Sequence, residues 1–569
     1  MEGRGPVQRR TVEGTHRPHR PGTRRRVEGR LGRETGRRTG RPRPVGPDGR
    51  NLEPPKHRVA CDIGKEQCLE SGIDVAVVVA YLVGIVVLGS WFVRRNRSAE
   101  RFMSAGRAIP GWAVGLTIFG SFVSSISFLA LPGKAFDSNW GFFVFSLTLP
   151  LAAWIAARYF VPFYRKSGEV SSYHHLENRF GPWARTYAVV CYLLTMLVRT
   201  GSVMYLLTLP LAGLVGLDVP TLIVALGVVM TIYPLLGGTE AVIWTGVAQS
   251  ILLVIGALVI LGWLVFGSPG GPGHIFTAAA EHGKFSLGSL SGSLLVPTVW
   301  VVAAYGLAEN LRNFGITQSY VQLYITAKSD RAAVRSVWMS ALMYIPVSAV
   351  FFFIGTALWA FYEGRPGVLP EGVVGDKVLP HFINTELPAG VAGLVIAAIC
   401  AAATDSNFNS MATLINCDIY RRYFRPAALD RESMWVLRLS TLACGIGSTA
   451  IALVMTRAKT VLDAWWTMAG ILAGGMLGLF LLGMISRRAG GVAATLGVTA
   501  GVLVTLWMTL SLPEAQDLLG WRWPEGSRSE MSGLLINVLG TSAILLVGML
   551  VGLLTKRALG RQSQAGHER

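Results

Sequence analysis

The sequence predicts an all-α protein that crosses a membrane many times. Half of its 569 residues are hydrophobic, only 15% are charged, and the mean hydropathy is +0.46, too apolar for a soluble chain around one core. Apolar stretches long enough to span a bilayer of about 30 Å recur from residue 73 onward. Lys and Arg gather in alternate connecting segments, the charge pattern that orients membrane helices.

Thirteen spans follow from the apolar runs: 73–93, 111–131, 140–163, 186–208, 219–237, 241–266, 295–313, 336–361, 389–413, 434–456, 462–484, 489–511 and 534–555. The segments RRNRSAERFMSAGR, YRKSGEVSSYHHLENRFGPWAR, RNFGITQSYVQLYITAKSDRAAVR, DIYRRYFRPAALDRE, SRRAGG and TKRALGRQ carry the positive charge. They are expected inside, which puts the N-terminus outside and the C-terminus, with a short tail over 556–569, in the cytoplasm.

Residues 1–72 form a separate leader. The first 70 residues hold 18 Lys/Arg against 9 Asp/Glu, so +9 of the formal charge of +19 sits there, among Gly and Pro and almost no aromatics. Such a segment cannot bury enough apolar surface to fold alone and is expected to be disordered. Without interleaved aromatics it is a poor stacking platform, so no nucleic acid is expected as a partner. A start codon set too early produces a leader of the same kind. The six Cys are scattered without CxxC spacing, and four of them, Cys191, Cys400, Cys417 and Cys444, lie in or beside apolar segments, where a small buried hydrophobe is the simplest role.

Polar groups inside a span need a reason. In GSFVSSISFLALPG, residues 120–133, Ser121, Ser124, Ser125 and Ser127 crowd one stretch, and Pro132-Gly133 follow. Two readings are open: a packing face of small residues, or a helix unwound at mid-membrane whose carbonyls and hydroxyls face a cavity. In AAATDSNFNSMAT, residues 401–413, Thr404, Asp405, Ser406, Asn407, Asn409 and Ser410 offer oxygens that suit a hard cation, or else simply mark a wet helix end. Glu309 and Arg312, three apart, can pair on one face, in a vestibule or in a pocket. Arg199 stands alone about two turns from the nearest end of its span, too deep for easy snorkelling, which favours a pocket. His174-His175 sit in a basic segment with no carboxylate partner in spacing, so a solvated loop is expected there.

Taken together, RFMSAGRAIPGWAVGL, SSISFLALPGKAF, YPLLGGTEAVIWTGVAQ, FGITQSYVQLYITAKS and NSMATLINCDIYRR resemble the sodium:solute symporter family over about residues 75–485. The resemblance implies a LeuT-type fold of two inverted five-helix repeats, 111–266 and 295–484, each opened by a discontinuous helix. It implies sodium as the coupling ion, held by the carbonyls of Gly120 and Val123 with Ala402, Asp405 and Ser406. It implies a solute pocket lined by Ser124, Ser125, Ser127, Ser146 and Arg199. Between the AAA run and DIY the chain is three residues shorter than the family's pattern, which leaves two registers for 401–410. The register chosen keeps the oxygen ligands that the chemistry requires. The family's Asp in WTDxxQ is Gly246 here, which implies one sodium only.

Within the family, ISFLALPGKAFDSNW and Arg199 followed by MYLLTLPLAGL look most like the sialic acid symporter branch, where an Arg pairs with the solute carboxylate. The Gln that assists it there is Ser146 here. The expected activity is sodium-coupled import of a small organic solute, a carboxylate such as a sialic or other sugar acid, with a neutral sugar, polyol or nucleoside as the second candidate. A transporter-like sensor would need a signalling module that residues 556–569 are too few to form. An enzyme would need a convergent base and nucleophile in the spans. The expected partners are the solute, sodium and the lipid bilayer, with no obligatory protein partner.

Overall fold

The computed structural model describes residues 60–92, 98–268, 270–403, 407–457, 468, 470, 475–513, 516, 523–524 and 526–567. The described residues from Asp62 onward belong to one unit, and they are helical apart from loops and a single isolated bridge between Ile109 and Ala327. The leader falls outside the described residues up to position 59. From Ala60 the chain is helical, so the first helix starts earlier than the apolar run that announced it.

In chain order the main elements are α1 (Ala60–Trp91), α2 (Gly111–Phe122), α3 (Leu131–Asp137), α4 (Trp140–Ser167), α5 (His174–Phe180), α6 (Pro182–Val215), α7 (Val219–Gly267) and α8 (Val299–Ile316). There follow α9 (Gln318–Ile325), α10 (Asp330–Glu363), α11 (Val391–Ala403), α12 (Asn407–Leu414), α13 (Asp430–Met455), α14 (Met476–Ile485), α15 (Gly491–Leu510) and α16 (Leu535–His567). Among the described residues the expected spans coincide with helix but not one for one: 219–237 and 241–266 fall in the single helix α7, and 389–413 and 462–484 run into undescribed residues. By length and composition, eight described helices are fit to cross a membrane, or nine when the bent pair of α2 with residues 126–137 counts as one. Val219–Ile232, Val391–Ala401 and Met476–Ile485 are shorter apolar helices, and the last begins just after the undescribed residues 471–474.

The bend in that pair is 54°. It falls at Val123, whose ψ of 87° leaves the helical region, and a π-helical turn over Ile126–Ala130 leads into α3. Pro132-Gly133 are not the break. Pro132 sits in the first turn of α3, where a missing N–H costs nothing. Gly133 lets that turn approach Gly375, with room for no side chain. A second interruption separates α8 from α9 at Thr317, with φ −72° and ψ 117°. There the Thr317 N–H and hydroxyl both donate to the Arg312 carbonyl, at 3.0 and 3.1 Å, and close the open helix end.

The other long helix with a kink is α7, at Gly238. Its φ of +58° is left-handed, and a Cβ there would meet the Phe102 carbonyl at 3.0 Å. Around these elements α2 packs on α7 and α10, α6 on α13, and α7 on α11. Asp74 of α1 accepts from the Gly390 and Gly393 amides at 2.7 and 2.6 Å, an acidic side chain on the N-terminal turn of α11. Large apolar side chains such as Val83, Val87, Leu258 and Ile446 point outward, more than half exposed, as a lipid-facing surface requires.

Candidate functional site

The break in α2 frees backbone carbonyls in the middle of the molecule, and the structure shows where they go. Arg199 of α6 donates through Nη2 to the Ser121 carbonyl at 2.6 Å, and the Tyr320 hydroxyl of α9 donates to the same oxygen at 3.0 Å. Ser127 donates to the Phe122 carbonyl at 3.3 Å. Irregular backbone at this depth survives because protein groups satisfy it. The serine-rich stretch is therefore a broken helix as well as a packing face: Ser121 bonds back to Thr117 of its own helix at 3.0 Å.

The break opens into a cavity. Ser124, Ser127, Ser146 and Arg199 line it, four of the five residues expected for the solute. The fifth, Ser125, is fully buried and turned to α6, its hydroxyl donating to the Val203 carbonyl at 3.1 Å. Ser146 shares a hydrogen bond of 2.7 Å with Ser348 of α10.

Aromatic rings supply the apolar wall. Phe122 packs edge-on or tilted against Phe314, Tyr320 and Tyr344, with centroids 4.9, 4.8 and 5.7 Å away. Tyr305, Glu309 and Asn313 form another wall, spaced four apart on one face of α8. Tyr305 and Asn313 went unread in the sequence as pocket residues, though their spacing from Glu309 was visible. Glu309 and Arg312 do pair, Arg312 Nε donating to Oε2 at 2.9 Å and Nη2 to Oε1, and of the two homes open to them the structure gives Glu309 the pocket.

Beside it, a smaller polar cavity is lined by Thr117, Gly120, Ser121, Gln249, Ser250 and Ala401. It brings Gly120 of α2 and the last turn of α11 to one place. Val123 lies at the break itself, and Ala402 follows Ala401 in α11. Asp405 and Ser406 lie outside the described residues. Past them, α12 is tied inward: Asn407 Nδ2 donates to Thr200 at 3.3 Å, Asn409 Nδ2 to Thr239 at 2.6 Å, and Ser410 bonds Tyr192 at 2.8 Å. Gly246 also lines the smaller cavity, close to Thr117, with which a Cβ would collide at 2.7 Å.

At the far end of the spans, Arg185 joins Glu177 at 2.7 Å and the buried Asp418, and Arg422 reaches the same Glu177. Burial pushes the Glu177 carboxyl up, but the hydrogen bonds from Arg422 and Arg185 outweigh it and hold the group below its ordinary value. The histidine pair is not a bare solvated loop. His174 lies 3.7 Å from the Glu169 carboxylate and 3.1 Å from Arg185, because the turn folds Glu169 back onto α5.

A bundle of apolar helices with two interrupted elements meeting at a buried polar cavity defines a multi-pass membrane transporter. Residues 102–501 match the model of the sodium:solute symporter family. The sodium/sialic acid symporter of Proteus mirabilis is 34% identical over 440 residues, covering 76% of this chain and 89% of that protein. The sodium/sialic acid symporter of Aliivibrio fischeri is 32% identical over 489 residues, covering 84% and 93%. A solved structure of a Na+-coupled sialic acid symporter, in a substrate-bound outward-open state, superposes with a TM-score of 0.77 at 31% identity, over 85% of this chain and 98% of that one. Mhp1, a nucleobase-cation-symport-1 transporter, shares the fold at a TM-score of 0.51 and 16% identity, over 78% and 92%. The chain belongs to the sodium:solute symporter family and is a sodium-coupled symporter, not an enzyme.

Proposed function

We propose that the protein imports a sialic acid or a related sugar acid together with one sodium ion. The observation that carries this reading is Arg199. A guanidinium 6% exposed, at the wall of a buried cavity that the Ser124 and Ser127 side chains also line, is a forked donor suited to a carboxylate. The similar sodium/sialic acid symporters support the same class.

The sodium ion is held between α2 and the α11–α12 connection by the carbonyls of Gly120, Val123 and Ala402 with Asp405 and Ser406. What supports this is the cavity shared by Gly120 and Ala401. Ser125 acts on the solute indirectly, by fixing the broken segment against α6. Gly246 supplies no carboxylate for a second ion.

The architecture proposed is thirteen spans with the inverted repeats 111–266 and 295–484, the interruptions at Val123 and Thr317 opening each repeat. The N-terminus is outside and the C-terminus in the cytoplasm, in the plasma or inner membrane. In support, segments assigned to the inside meet one another: Arg165 with Asp330 and Glu177 with Arg422.

Thermal stability of the purified protein, screened against N-acetylneuraminate, glucuronate, neutral sugars and polyols with and without sodium, tests the reading. Stabilisation by the acids, greater in sodium than in potassium, is expected. Stabilisation by neutral sugars alone assigns the pocket to them instead.

A further inference from the structure

The wall of the pocket made by α8 carries polar atoms that a carboxylate seated on Arg199 does not use. Glu309 is held from two sides. Its Oε2 accepts from Arg312 Nε at 2.9 Å and from Asn537 Nδ2 of α16 at 3.1 Å, and its Oε1 accepts from Arg312 Nη2. Arg312 is completely buried and Asn537 nearly so, so the carboxylate is fixed and its charge balanced before any solute arrives. One turn on, Asn313 also lines the cavity, 6% exposed, and its Oδ1 has no hydrogen-bond partner.

Beside the Tyr305 hydroxyl and the Asn313 Nδ2, which can donate, this wall offers acceptors. A carboxylate has about four lone-pair sites, of which Glu309 uses three, and an amide oxygen has two. Buried acceptors without donors are costly in a low-dielectric interior, and a ligand that donates to them recovers that cost.

We propose that Glu309 and Asn313 form a second anchor for the solute, accepting hydrogen bonds from its hydroxyl or amide N–H groups while Arg199 faces its carboxylate. Asn537 is a positioning residue that acts through Glu309. The inference rests on the solute class proposed above and narrows it to monocarboxylates rich in hydroxyl or N-acyl donors. Hydroxyl-free acids of similar charge leave the anchor unfilled. A second carboxylate on the solute meets Glu309 and is repelled. The last helix, outside both proposed repeats, thereby takes part in choosing the solute.

The test is sodium-driven uptake of N-acetylneuraminate and of glucuronate by proteoliposomes holding the full chain, as wild type, Asn313→Ala, Asn537→Ala and Asn537→Gln, with propionate as competitor. KM for the hydroxylated acid is expected to rise three- to tenfold in Asn313→Ala and in Asn537→Ala. Maximal rate and half-saturating sodium stay within twofold, competition by propionate is unchanged, and Asn537→Gln recovers most of the loss. Unchanged KM in both alanine variants overturns the anchor, as does a loss confined to maximal rate. If one alanine variant does not purify as a monodisperse particle, the other decides alone. Wild-type protein that takes up neither acid overturns the solute class itself, an outcome distinct from wild-type uptake with indifferent variants.

Discussion

Arg199 and Ser121 are joined by a 2.6 Å hydrogen bond from guanidinium Nη2 to a backbone carbonyl, across the gap between α6 and the last turn of α2. One side chain thus caps the broken helix and lines the cavity. On the function proposed above, a carboxylate arriving at the guanidinium competes with, or adds to, the contact that orders this segment.

Arg199→Lys keeps a charge but loses the planar fork, so it should weaken carboxylate binding more than it weakens folding. Charge-assisted hydrogen bonds contribute about 1.5–3 kcal/mol each, so KM should rise by roughly ten- to a hundredfold. Uptake kinetics measure it, with the thermal midpoint as the control for folding.

Ser127 and Ser125 should separate into two roles. Ser127→Ala removes a pocket hydroxyl that also caps the Phe122 carbonyl, and is expected to raise KM several-fold. Ser125→Ala leaves the Val203 carbonyl short of a donor and should cost about 1 kcal/mol of stability with KM unchanged. Paired measurements of KM and thermal midpoint on the two variants distinguish them.

The Glu177–Arg185–Asp418 cluster predicts a pH dependence. The Glu177 pKa is depressed in the folded state, so its contribution is complete above the unfolded carboxylate value of about 4.3 and disappears as pH falls through the lower folded value. Glu177→Gln should therefore lower the thermal midpoint by a constant amount from pH 8 to 5. The difference should shrink only in more acidic buffer. Arg185→Met leaves the buried Asp418 without its cation and should destabilise far more than Arg185→Met combined with Asp418→Asn.

One sodium with a monoanionic solute moves no net charge. A tenfold sodium gradient is then worth about 1.4 kcal/mol, and the roughly 2.3 kcal/mol of a 100 mV potential goes unused. Imposing an inside-negative potential with valinomycin and a potassium gradient should leave the rate of carboxylate uptake unchanged. A severalfold acceleration indicates a second cation, either another sodium or a proton on Asp405.

The all-helical membrane fold was legible because hydropathy and loop charge are properties of single segments. Arg199 and the serine cluster were legible because polar groups deep in a span are costly enough to need a function. The exact point of the break was not. Pro132-Gly133 are the strongest helix breakers in the stretch, yet the chain unwinds at Val123 and Ser124, because Arg199 and Tyr320 arrive from elsewhere in the fold, and Ser127 from the next turn, to take the freed carbonyls. The sequence left Glu309 between a vestibule and a pocket because only its local partner, Arg312, is visible there. Its second partner, Asn537, comes from more than 200 positions away. Ser125, which the family resemblance put in the solute pocket, turns its hydroxyl to the Val203 carbonyl of α6.

The central claim is that the broken α2 segment and the α11–α12 connection close together around sodium to drive solute entry. Uptake of N-acetylneuraminate into proteoliposomes, compared with an inward sodium gradient and with potassium alone on both sides, tests it most directly. Accumulation that requires the sodium gradient, and that Asp405→Ala and Ser406→Ala weaken by raising half-saturating sodium, is the predicted result. Equal accumulation in potassium, or variants with unaltered sodium dependence, would contradict it.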